Sequence, residues 1–262
     1  MSGVRGSTLA VVQARTSSAR LPGKVLLPIE GTPMILRQLE RIGRARHVDG
    51  IVVATSVDPS DDELSETLVD AGYDVVRGLL NDVLSRLIDV LDAYDAEVIV
   101  RLTGDCPLAC PSVIDEVVQA FQSSEADYLS NTMVPSYPDG LDVEVMTREA
   151  LTAIAAMSTD PAEREHVTLG IYRRPDSFVI ENYVDPTGRD NSDLRWTVDN
   201  ADDLEFVRKV YSALGNQVFD YADILEFLQQ HPEENRTNED SPRNAALDGL
   251  DTGVMQHGGS AS

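Results

Sequence analysis

The sequence predicts an α/β fold with a doubly wound, mainly parallel sheet, because strand and helix patterns alternate along the chain. Short apolar, β-branched runs alternate with helical patterns along most of the 262 residues. Such alternation is typical of strand–helix–strand units, which place successive strands parallel and cover both faces of the sheet. In addition, no apolar run approaches the ~18 residues that a membrane-spanning helix needs, so we expect no membrane partner.

The first half of the chain carries the clearest signals. Strands are predicted at 8–13, 51–56, 74–76 and 98–102, and a helix at 81–94. Another helix is expected to open at Thr32 and Pro33, because Thr caps helices and Pro is favoured at the first helical position. Ser60 and Glu63 have the spacing of a capping box, which predicts a helix start there.

The second half continues the alternation. Helices are predicted at 111–123, 148–157, 161–172, 201–214 and 222–228, and strands at 128–130, 143–146, 178–182 and 195–197. Asn200 is the expected N-cap of the helix that follows it, because its side chain can accept a hydrogen bond from a free backbone N–H of the first turn. Together these elements predict one domain over residues 8–230.

The composition changes from about His231 onward. Glu, Asn, Asp, Gly and Ser dominate 231–262, apolar residues are sparse, and no helical or strand period is visible. Such a segment cannot bury enough apolar surface to offset the entropy of ordering it. We therefore predict an acidic, polar, disordered tail over 231–262, and expect truncation after Gln230 to leave activity intact.

The chain is strongly acidic: 45 Asp and Glu stand against 21 Lys and Arg, a formal net charge of −24. Lys24 and Lys209 are the only lysines. This composition favours a halophilic protein, because at molar salt the Debye length falls to ~3 Å and self-repulsion is screened; an acidic mesophilic protein is the alternative.

Nucleic acid is not an expected partner, because a phosphate backbone needs a basic surface. The first seven residues are too short and polar for a signal peptide, which predicts a cytoplasmic protein.

Three cations are concentrated in the loop after the first predicted strand. The segment Gln13-Ala-Arg-Thr-Ser-Ser-Ala-Arg-Leu-Pro-Gly-Lys24 contains Arg15, Arg20 and Lys24 among small hydroxyl residues. In so acidic a protein this favours a polyanion such as a triphosphate, bound by the cations and by backbone N–H groups. The alternative is a solvated loop whose cations pair with surface carboxylates. The segment matches neither a Walker loop nor a Gly-x-Gly-x-x-Gly dinucleotide fingerprint.

Two aspartates, Asp105 and Asp199, each follow a predicted strand. In an open α/β sheet the carboxyl ends of the strands meet at one edge, where ligands bind. Magnesium takes one or two carboxylates plus substrate phosphates, so both residues are candidate Mg²⁺ ligands. Alternatively, Asp105 only caps the turn before Pro107, and Asp199 only assists the start of the next helix.

Three motifs occur in a recognisable order and spacing. They are the loop Ala14-Arg…Arg-Leu-Pro-Gly-Lys24, the turn Thr-Gly-Asp105-x-Pro and the segment Val-Asp199-x-x-x-Asp-Leu-Glu. On these motifs the chain resembles, over roughly residues 9–214, the sugar-acid cytidylyltransferase family, which includes the synthetases of CMP-sialate and CMP-Kdo. It is most similar to the spore-coat-polysaccharide cytidylyltransferase-like subgroup. The resemblance implies a nucleotide-sugar-transferase-like version of the α/β fold.

The resemblance also implies roles for single residues. The nucleotide would be bound by Ala14, Arg15, Arg20, Lys24 and Arg86, the last in the subgroup-like segment Asp82-Val-Leu-Ser-Arg86. Arg15, Lys24 and Asp105 would be catalytic, and Asp105 and Asp199 would bind magnesium.

Two further segments are similar to the subgroup and are expected near the acceptor. They are Pro138-Asp-Gly-Leu-Asp-Val-Glu144 and Glu163-Arg-Glu-His-Val-Thr168. The candidate acceptor contacts are Asp142, Glu144, Arg164 and His166; for His166 a satisfied structural histidine is the alternative. The resemblance also suggests a homodimer.

The predicted reaction is attack by a hydroxyl of a sugar or sugar acid on the α-phosphorus of CTP, with release of pyrophosphate, in surface-glycan biosynthesis. Loop cations and Mg²⁺ would act through positioning and electrostatics. Because Arg15 and Lys24 are expected to face the ligand, we predict that replacing either leaves the fold intact. A glycosyltransferase on the same fold is one alternative, although the chain lacks the Asp-x-Asp motif usual in such enzymes. A non-catalytic polysaccharide-assembly factor is the other.

Overall fold

The computed structural model of the chain describes residues 6–215, 218–238, 243 and 250–253. Its strands are β1 (Thr8–Gln13), β2 (Pro28–Ile29), β3 (Thr32–Pro33), β4 (Gly50–Ser56), β5 (Asp74–Gly78), β6 (Val98–Thr103), β7 (Tyr128–Ser130), β8 (Glu144–Thr147) and β9 (Ile180–Asn182). Its α-helices are α1 (Met34–Ile42), α2 (Asp62–Asp70), α3 (Val83–Ala93), α4 (Pro111–Gln122), α5 (Arg148–Met157), α6 (Pro161–His166), α7 (Leu169–Tyr172), α8 (Ala201–Leu214) and α9 (Tyr221–Gln230).

Seven strands form one sheet in the order β5-β4-β1-β6-β8-β7-β9, and β2 pairs with β3 separately. Strand β1 pairs in parallel with β4 on one side and β6 on the other, and β4 pairs in parallel with β5. Only β8 runs against its neighbours β6 and β7. The predicted mainly parallel α/β fold is confirmed, and the carboxyl ends of β5, β4, β1 and β6 share one edge.

Helices cover both faces of this sheet, as the residues of β1 show. Ala10 and Val12 belong to the apolar cluster that packs against α1, α4 and α8, whereas Leu9 and Val11 belong to the cluster that packs against α3, α5 and α7. A parallel strand buried on both faces has no polar side to present. This explains why β1 reads as a continuous apolar run.

Two predicted helix starts differ from the structure. Thr32 and Pro33 form β3 against β2, so α1 begins one residue later, at Met34. Ser60 is not a helix cap: Asp58 accepts from its backbone N–H, a 3₁₀ turn follows, and α2 begins at Asp62. In both places a neighbouring interaction, strand pairing or an Asp turn, competes with the local helix signal.

The predicted strand 195–197 and the predicted helix 161–172 also differ. Arg195 makes only an isolated bridge with Asp139, outside the seven-stranded sheet. The helix is interrupted at Val167, which adopts φ 48° and is fully buried, so two short helices, α6 and α7, replace one. Burial of Val167 in the apolar cluster beside α3 accompanies the break.

The prediction of a disordered tail covers 231–262, of which 239–242, 244–249 and 254–262 lie outside the described residues. A 3₁₀ turn at Pro232–Glu234 directly follows α9. Among the described helices, none is both long and apolar enough to cross a lipid bilayer.

Candidate active site

A cavity of about 550 Å³ lies at the carboxyl ends of β1 and β6. Its walls include every predicted nucleotide-binding residue, both predicted metal ligands and one predicted acceptor contact: Ala14, Arg15, Arg20, Lys24, Arg86, Asp105, Asp199 and His166. Strand pairing explains much of this convergence. Gln13 lies opposite Thr103 at the ends of two adjacent parallel strands, so the loops that follow them lie side by side.

The loop 14–24 is anchored along its path. The backbone N–H and the hydroxyl of Thr16 donate to Oδ1 of Asp61 at 2.7 and 2.8 Å. The carbonyl of Thr16 accepts from the N–H of Gly23 at 2.8 Å. Gly23 has φ 70°, a left-handed conformation that costs glycine little. The chain therefore turns directly into Lys24, whose side chain points into the protein.

Lys24 is the centre of the charged wall of the cavity. Its Nζ donates to Oδ2 of Asp105 at 3.2 Å, to Oδ1 of Asp199 at 3.0 Å and to the carbonyl of Val198 at 2.7 Å. Burial disfavours the ammonium, but the two carboxylates outweigh it, so the pKa of Lys24 is raised from its ordinary value. Burial also works against the charge of Asp105, and there Lys24 and local hydrogen bonds win, so its pKa is lowered. Lys24 and Asp105 are therefore both charged at neutral pH.

Backbone contacts bring Asp105 and Asp199 together without a strand at 195–197. The N–H of Val198 donates to the carbonyl of Asp105 at 2.8 Å, and the hydroxyl of Thr197 donates to the same oxygen at 3.2 Å. Gly104 allows the turn to approach the loop, because a Cβ there would lie 2.8 Å from the Cβ of Ala14. The two segments thus meet through hydrogen bonds of a turn rather than through sheet pairing.

Asp199 is held by two arginines as well as by Lys24. Nη2 of Arg195 lies 2.6 Å from Oδ2 of Asp199, and Nη2 of Arg20 lies 2.9 Å from the same oxygen. Arg195 also pairs with Asp139 at 3.0 Å and lies 3.4 Å from Asp203. Its side chain is 3% exposed, so this is a buried network rather than a surface ion pair.

A second wall of the cavity contains Arg86, which differs from Lys24 because two of its nitrogens have no hydrogen-bond partner in the described residues. Arg86 on α3 is 2% exposed, and its Nε and Nη1 have no hydrogen-bond partner among the residues the structure describes. Burial and the nearby charge of Arg15 lower the pKa of Arg86, while Asp61 and Asp82 oppose this. Buried donors are nearly always hydrogen-bonded in native proteins, so these atoms are candidates to contact a ligand.

The mouth of the cavity is formed where α6 faces the loop. Nη2 of Arg15 lies 4.0 Å from Oε1 of Glu165, and both side chains are largely exposed. The neighbouring His166 is half-buried and lines the cavity. Burial lowers the pKa of His166; Glu165 opposes this, and the charges of Arg101 and Arg15 add to it. Its imidazole is therefore neutral at pH 7.

The other three predicted acceptor contacts lie outside the walls of this cavity. Arg164 donates to Oδ2 of Asp82 at 2.6 Å and so ties α6 to the start of α3. Glu144 is buried and accepts from the hydroxyls of Tyr128 and Tyr172. Asp142 pairs with Arg243, a residue near the C-terminus.

Two supporting residues of the site were not identified from the sequence. Asp61 is fully buried and fixes the loop through Thr16, and Arg195 is the partner of Asp199. For Arg195, the only signal in the sequence was its spacing of four residues from Asp199, which is compatible with an ion pair. Asp61 lies 45 residues from Thr16, so no local pattern indicates their contact.

Metal-ligating groups are few at this site. Within the described parts of the chain, no group of three or more His, Cys, Asp or Glu side chains is arranged to hold a metal ion. Asp105 and Asp199 form a pair of carboxylates that converge on one cation, the ammonium of Lys24.

The chain is similar to proteins of known family over most of its length. A family model described as cytidylyltransferase matches residues 9–230. The spore coat polysaccharide biosynthesis protein SpsF of Bacillus subtilis is 30% identical, covering 86% of this chain and 95% of its own. A 3-deoxy-manno-octulosonate cytidylyltransferase of Pelobacter propionicus is 39% identical over 42% of each chain. A solved cytidylyltransferase structure from Leptospira borgpetersenii is 31% identical with a TM-score of 0.83, covering 87% of this chain and 96% of that one.

The match to the family model extends from β1 to α9 and includes every residue that lines the cavity. It confirms the resemblance that the loop, the Thr-Gly-Asp turn and the Val-Asp segment predicted. The chain belongs to the cytidylyltransferase family of nucleotidyltransferases.

Proposed function

We propose that this chain transfers CMP from CTP to a hydroxyl of a sugar or sugar acid, with release of pyrophosphate, in the biosynthesis of a surface glycan. One observation supports this most strongly: Lys24, Asp105 and Asp199 meet at the wall of a cavity that the cationic loop also lines. The relatives named for spore coat polysaccharide and for octulosonate support a sugar-like acceptor.

In this proposal the loop cations bind the triphosphate. Arg15 and Arg20 are partly exposed and can turn toward phosphate oxygens, and the backbone at Ala14 closes the floor beside them. Lys24 is fixed by its two carboxylates, so its charge needs no rearrangement as negative charge develops on the leaving pyrophosphate. Fixed charges in a largely buried site stabilise a transition state more than mobile charges in water.

Arg86 supplies the second contact to the nucleotide. Its buried Nε and Nη1 are donors without described partners, and the Arg86 residue is part of the wall of the same cavity. A phosphate oxygen or a base carbonyl would satisfy them. Charge-assisted hydrogen bonds of this kind are about twice as strong as neutral ones.

The residues present fit a magnesium ion. Asp105 and Asp199 both line the cavity, and each gives Lys24 only one of its two carboxylate oxygens; Mg²⁺ needs only one or two carboxylates when phosphates and water complete its shell. We therefore assign Asp105 and Asp199 as the residues that would hold it. When bound, the ion would neutralise charge on the phosphates as a Lewis acid.

On the acceptor side we assign the direct contact to His166, the one predicted acceptor residue that lines the cavity. Its neutral imidazole can accept a hydrogen bond from an acceptor hydroxyl. Arg164 would act through α6, which it ties to Asp82. Asp142 and Glu144 do not line the cavity and would set the position of the segments around it through Arg243 and through Tyr128 and Tyr172.

We further propose that the enzyme works as a homodimer in a cytoplasm of high salt. The net charge of −24 with only two lysines supports the salt requirement, because molar salt screens repulsion among the carboxylates. Unfolding temperatures that do not rise between about 0.1 M and 1 M KCl would contradict it. A sedimentation profile of a monomer would contradict the dimer.

Pyrophosphate release tests the proposed reaction. The protein is mixed with each of CTP, UTP, ATP and GTP in the presence of Mg²⁺ and a panel of sugars and sugar acids. We expect release with CTP and one acceptor class, and none from the matched Asp105→Asn protein. Release of pyrophosphate with a different nucleotide would show that this nucleotide, and not CTP, is the donor. Absence of release with all four nucleotides, together with no thermal stabilisation by CTP, would refute the proposal.

A further inference from the structure

The chain returns to the site after α9, beyond the region that matches the family. The matched region ends at residue 230. Arg236 then accepts a hydrogen bond at its carbonyl from the N–H of Arg195, at 2.8 Å. Asn238 donates its N–H to the carbonyl of Asp193 at 2.9 Å and its side-chain amide to the carbonyl of Ser192 at 3.0 Å. Residues 236–238 therefore run along the segment that leads into Asp199.

The side chain of Arg236 approaches the carboxylate of Asp203, which accepts hydrogen bonds from the backbone of Asp199 and Asn200. Its Nη2 lies 3.5 Å from Oδ1 of Asp203, which is 1% exposed. The other oxygen of Asp203 accepts from the backbone N–H groups of Asp199 and Asn200, at 2.9 and 3.1 Å. Arg236 thus neutralises a buried carboxylate whose hydrogen bonds fix the backbone of Asp199.

Arg243 makes a second contact of the same kind. Its Nη1 donates to the carbonyl of Tyr137 at 3.0 Å, and its Nη2 pairs with Asp142. Asp142 interacts with Asp139, the partner of Arg195. Burial and the charge of Asp142 raise the pKa of Asp139 to about 7, and Arg243 and Arg195 oppose this. Arg243 therefore helps to keep these carboxylates charged and paired.

The placement of charge in this part of the chain is selective. Arg236 and Arg243 are the only arginines after α9 in an otherwise acidic sequence, and each meets a carboxylate of the network around Arg195. The ion pair between Lys209 and Glu234, at 2.8 Å, is different, because it ties the same part of the chain to the exposed face of α8. That pair provides a comparison contact with no link to Asp199.

We infer that residues 236–238 together with Arg243, here called the C-terminal strap, position Asp199 for the transfer reaction. The inference rests on the proposed function for its effect on turnover, but not for its effect on structure. The strap residues are not among those that line the cavity, and they act through Arg195, Asp203 and Asp142. The strap lies outside the residues that the family model matches.

Trp196 gives a local readout that does not require activity. It is the only tryptophan, it is fully buried, and its backbone N–H donates to the carbonyl of Asp139 at 2.6 Å. It lies between Arg195 and Asp199 in sequence, so its fluorescence reports on the segment that the strap covers. Quenching by acrylamide measures how often this segment opens.

The experiment compares the full chain with truncations after Gln230 and after Arg243. Contrary to the expectation from sequence that activity survives truncation after Gln230, this truncation should increase the acrylamide quenching constant of Trp196 several-fold and reduce kcat about tenfold, a loss of about 1.4 kcal/mol of transition-state stabilisation. KM for CTP should change less than about twofold, because the cationic loop is untouched. Truncation after Arg243 keeps the strap and should behave as the full chain does.

Point variants keep the test valid if the shorter chain does not fold. Arg236→Ala and Arg243→Ala should each increase quenching and lower kcat, whereas the matched control Lys209→Ala should change neither. Unchanged quenching and kcat after removal of residues 231–262, or in both arginine variants, would overturn the inference. If the full chain has no transferase activity, the proposed reaction fails, while the quenching comparison still decides whether the strap holds the segment.

Discussion

The two walls of the cavity handle charge in opposite ways. On one wall, Lys24, Asp105 and Asp199 neutralise one another at 3.0–3.2 Å, and Arg20 and Arg195 complete the set. On the other wall, Arg86 is as deeply buried, yet two of its nitrogens have no partner in the described residues. The first wall is complete without a ligand, and the second is not.

This difference indicates how each wall would use binding energy. A network that is already paired is pre-organised, so it can stabilise developing charge without reorganising during the reaction. An unpaired buried donor is costly in the free protein and is relieved when a ligand accepts its hydrogen bond. We therefore expect the paired wall to govern turnover and the unpaired wall to govern affinity.

The largest effect is expected at the paired carboxylates. Asp105→Asn and Asp199→Asn should each lower kcat by more than about 100-fold, and the double variant should be little worse than either, because the two act as one unit. Steady-state pyrophosphate release measures this. Asp202→Asn, an exposed position on α8, is the control. Multiplicative losses in the double variant would show that the carboxylates act separately.

Lys24 should differ from Arg15 in stability, contrary to the expectation from sequence that neither affects the fold. Lys24→Met removes the cation between two largely buried carboxylates, so we expect a loss of about 3 kcal/mol in the free energy of unfolding together with the loss of activity. Arg15→Met breaks only a pair 4.0 Å apart between exposed groups, and stability should change by less than about 0.5 kcal/mol.

Urea unfolding of the two variants decides this comparison. The contribution of the ion pair between Lys24 and Asp105 to the free energy of unfolding should also depend on pH. The pKa of Asp105 is lowered in the folded state, so the stability that this pair contributes is present above the ordinary value of 3.8 and is lost as the pH falls below it. Equal stabilities of Lys24→Met and Arg15→Met would mean that the paired wall is not a structural unit.

Arg86 should show the reverse behaviour, with weaker nucleotide binding and no loss of stability. Arg86→Met removes a buried guanidinium two of whose nitrogens are unpaired in the described residues, so the affinity for CTP should fall about tenfold or more while the unfolding temperature without ligand stays equal or rises. Arg41→Met is the matched control, because Arg41 is equally buried but donates to the carbonyl of Ala109 at 2.8 Å. Titration by calorimetry and thermal unfolding measure both. Destabilisation of Arg86→Met as large as that of Arg41→Met would show that Arg86 is structural.

The smallest effect is expected from His166. Burial holds its pKa below the ordinary value of 6.5, so the folded protein binds a proton less readily than the unfolded chain. Stability should therefore decrease as the pH falls below 6.5, and His166→Gln should remove this part of the slope. Thermal unfolding between about pH 5 and 8 tests it. A steeper slope in the variant would contradict the assignment.

The prediction from sequence was accurate where the signal is local and repeated. The strands at 8–13 and 128–130 coincide with β1 and β7. Asn200 caps α8 as predicted, and Asp203 completes the capping box. The prediction failed at 195–197, where apolar residues indicated a strand but the segment binds the turn at Asp105 instead. Buried turns and buried strands have similar composition, so periodicity does not separate them.

Residues that support the site were harder to find than residues that line it. The loop cations and the two aspartates stand in motifs with a fixed order, which the sequence displays directly. Asp61 and Arg243 belong to no such motif, and their partners lie 45 and 101 residues away. Only the folded chain shows that they hold the loop and the segment around Asp142.

The sequence by itself determined the fold class, the family and the loop cations and two aspartates that meet at the cavity, because strand–helix alternation and short motifs are written along the chain. The tertiary structure alone decided which charges neutralise one another and which remain unpaired. Lys24 and the carbonyl of Val198 are 174 residues apart, yet they lie 2.7 Å from each other. The strength of an ion pair depends on distance and burial, and packing sets both. For this reason Lys24 and Arg86, two buried cations of one cavity, are distinguished by their surroundings and not by their sequence.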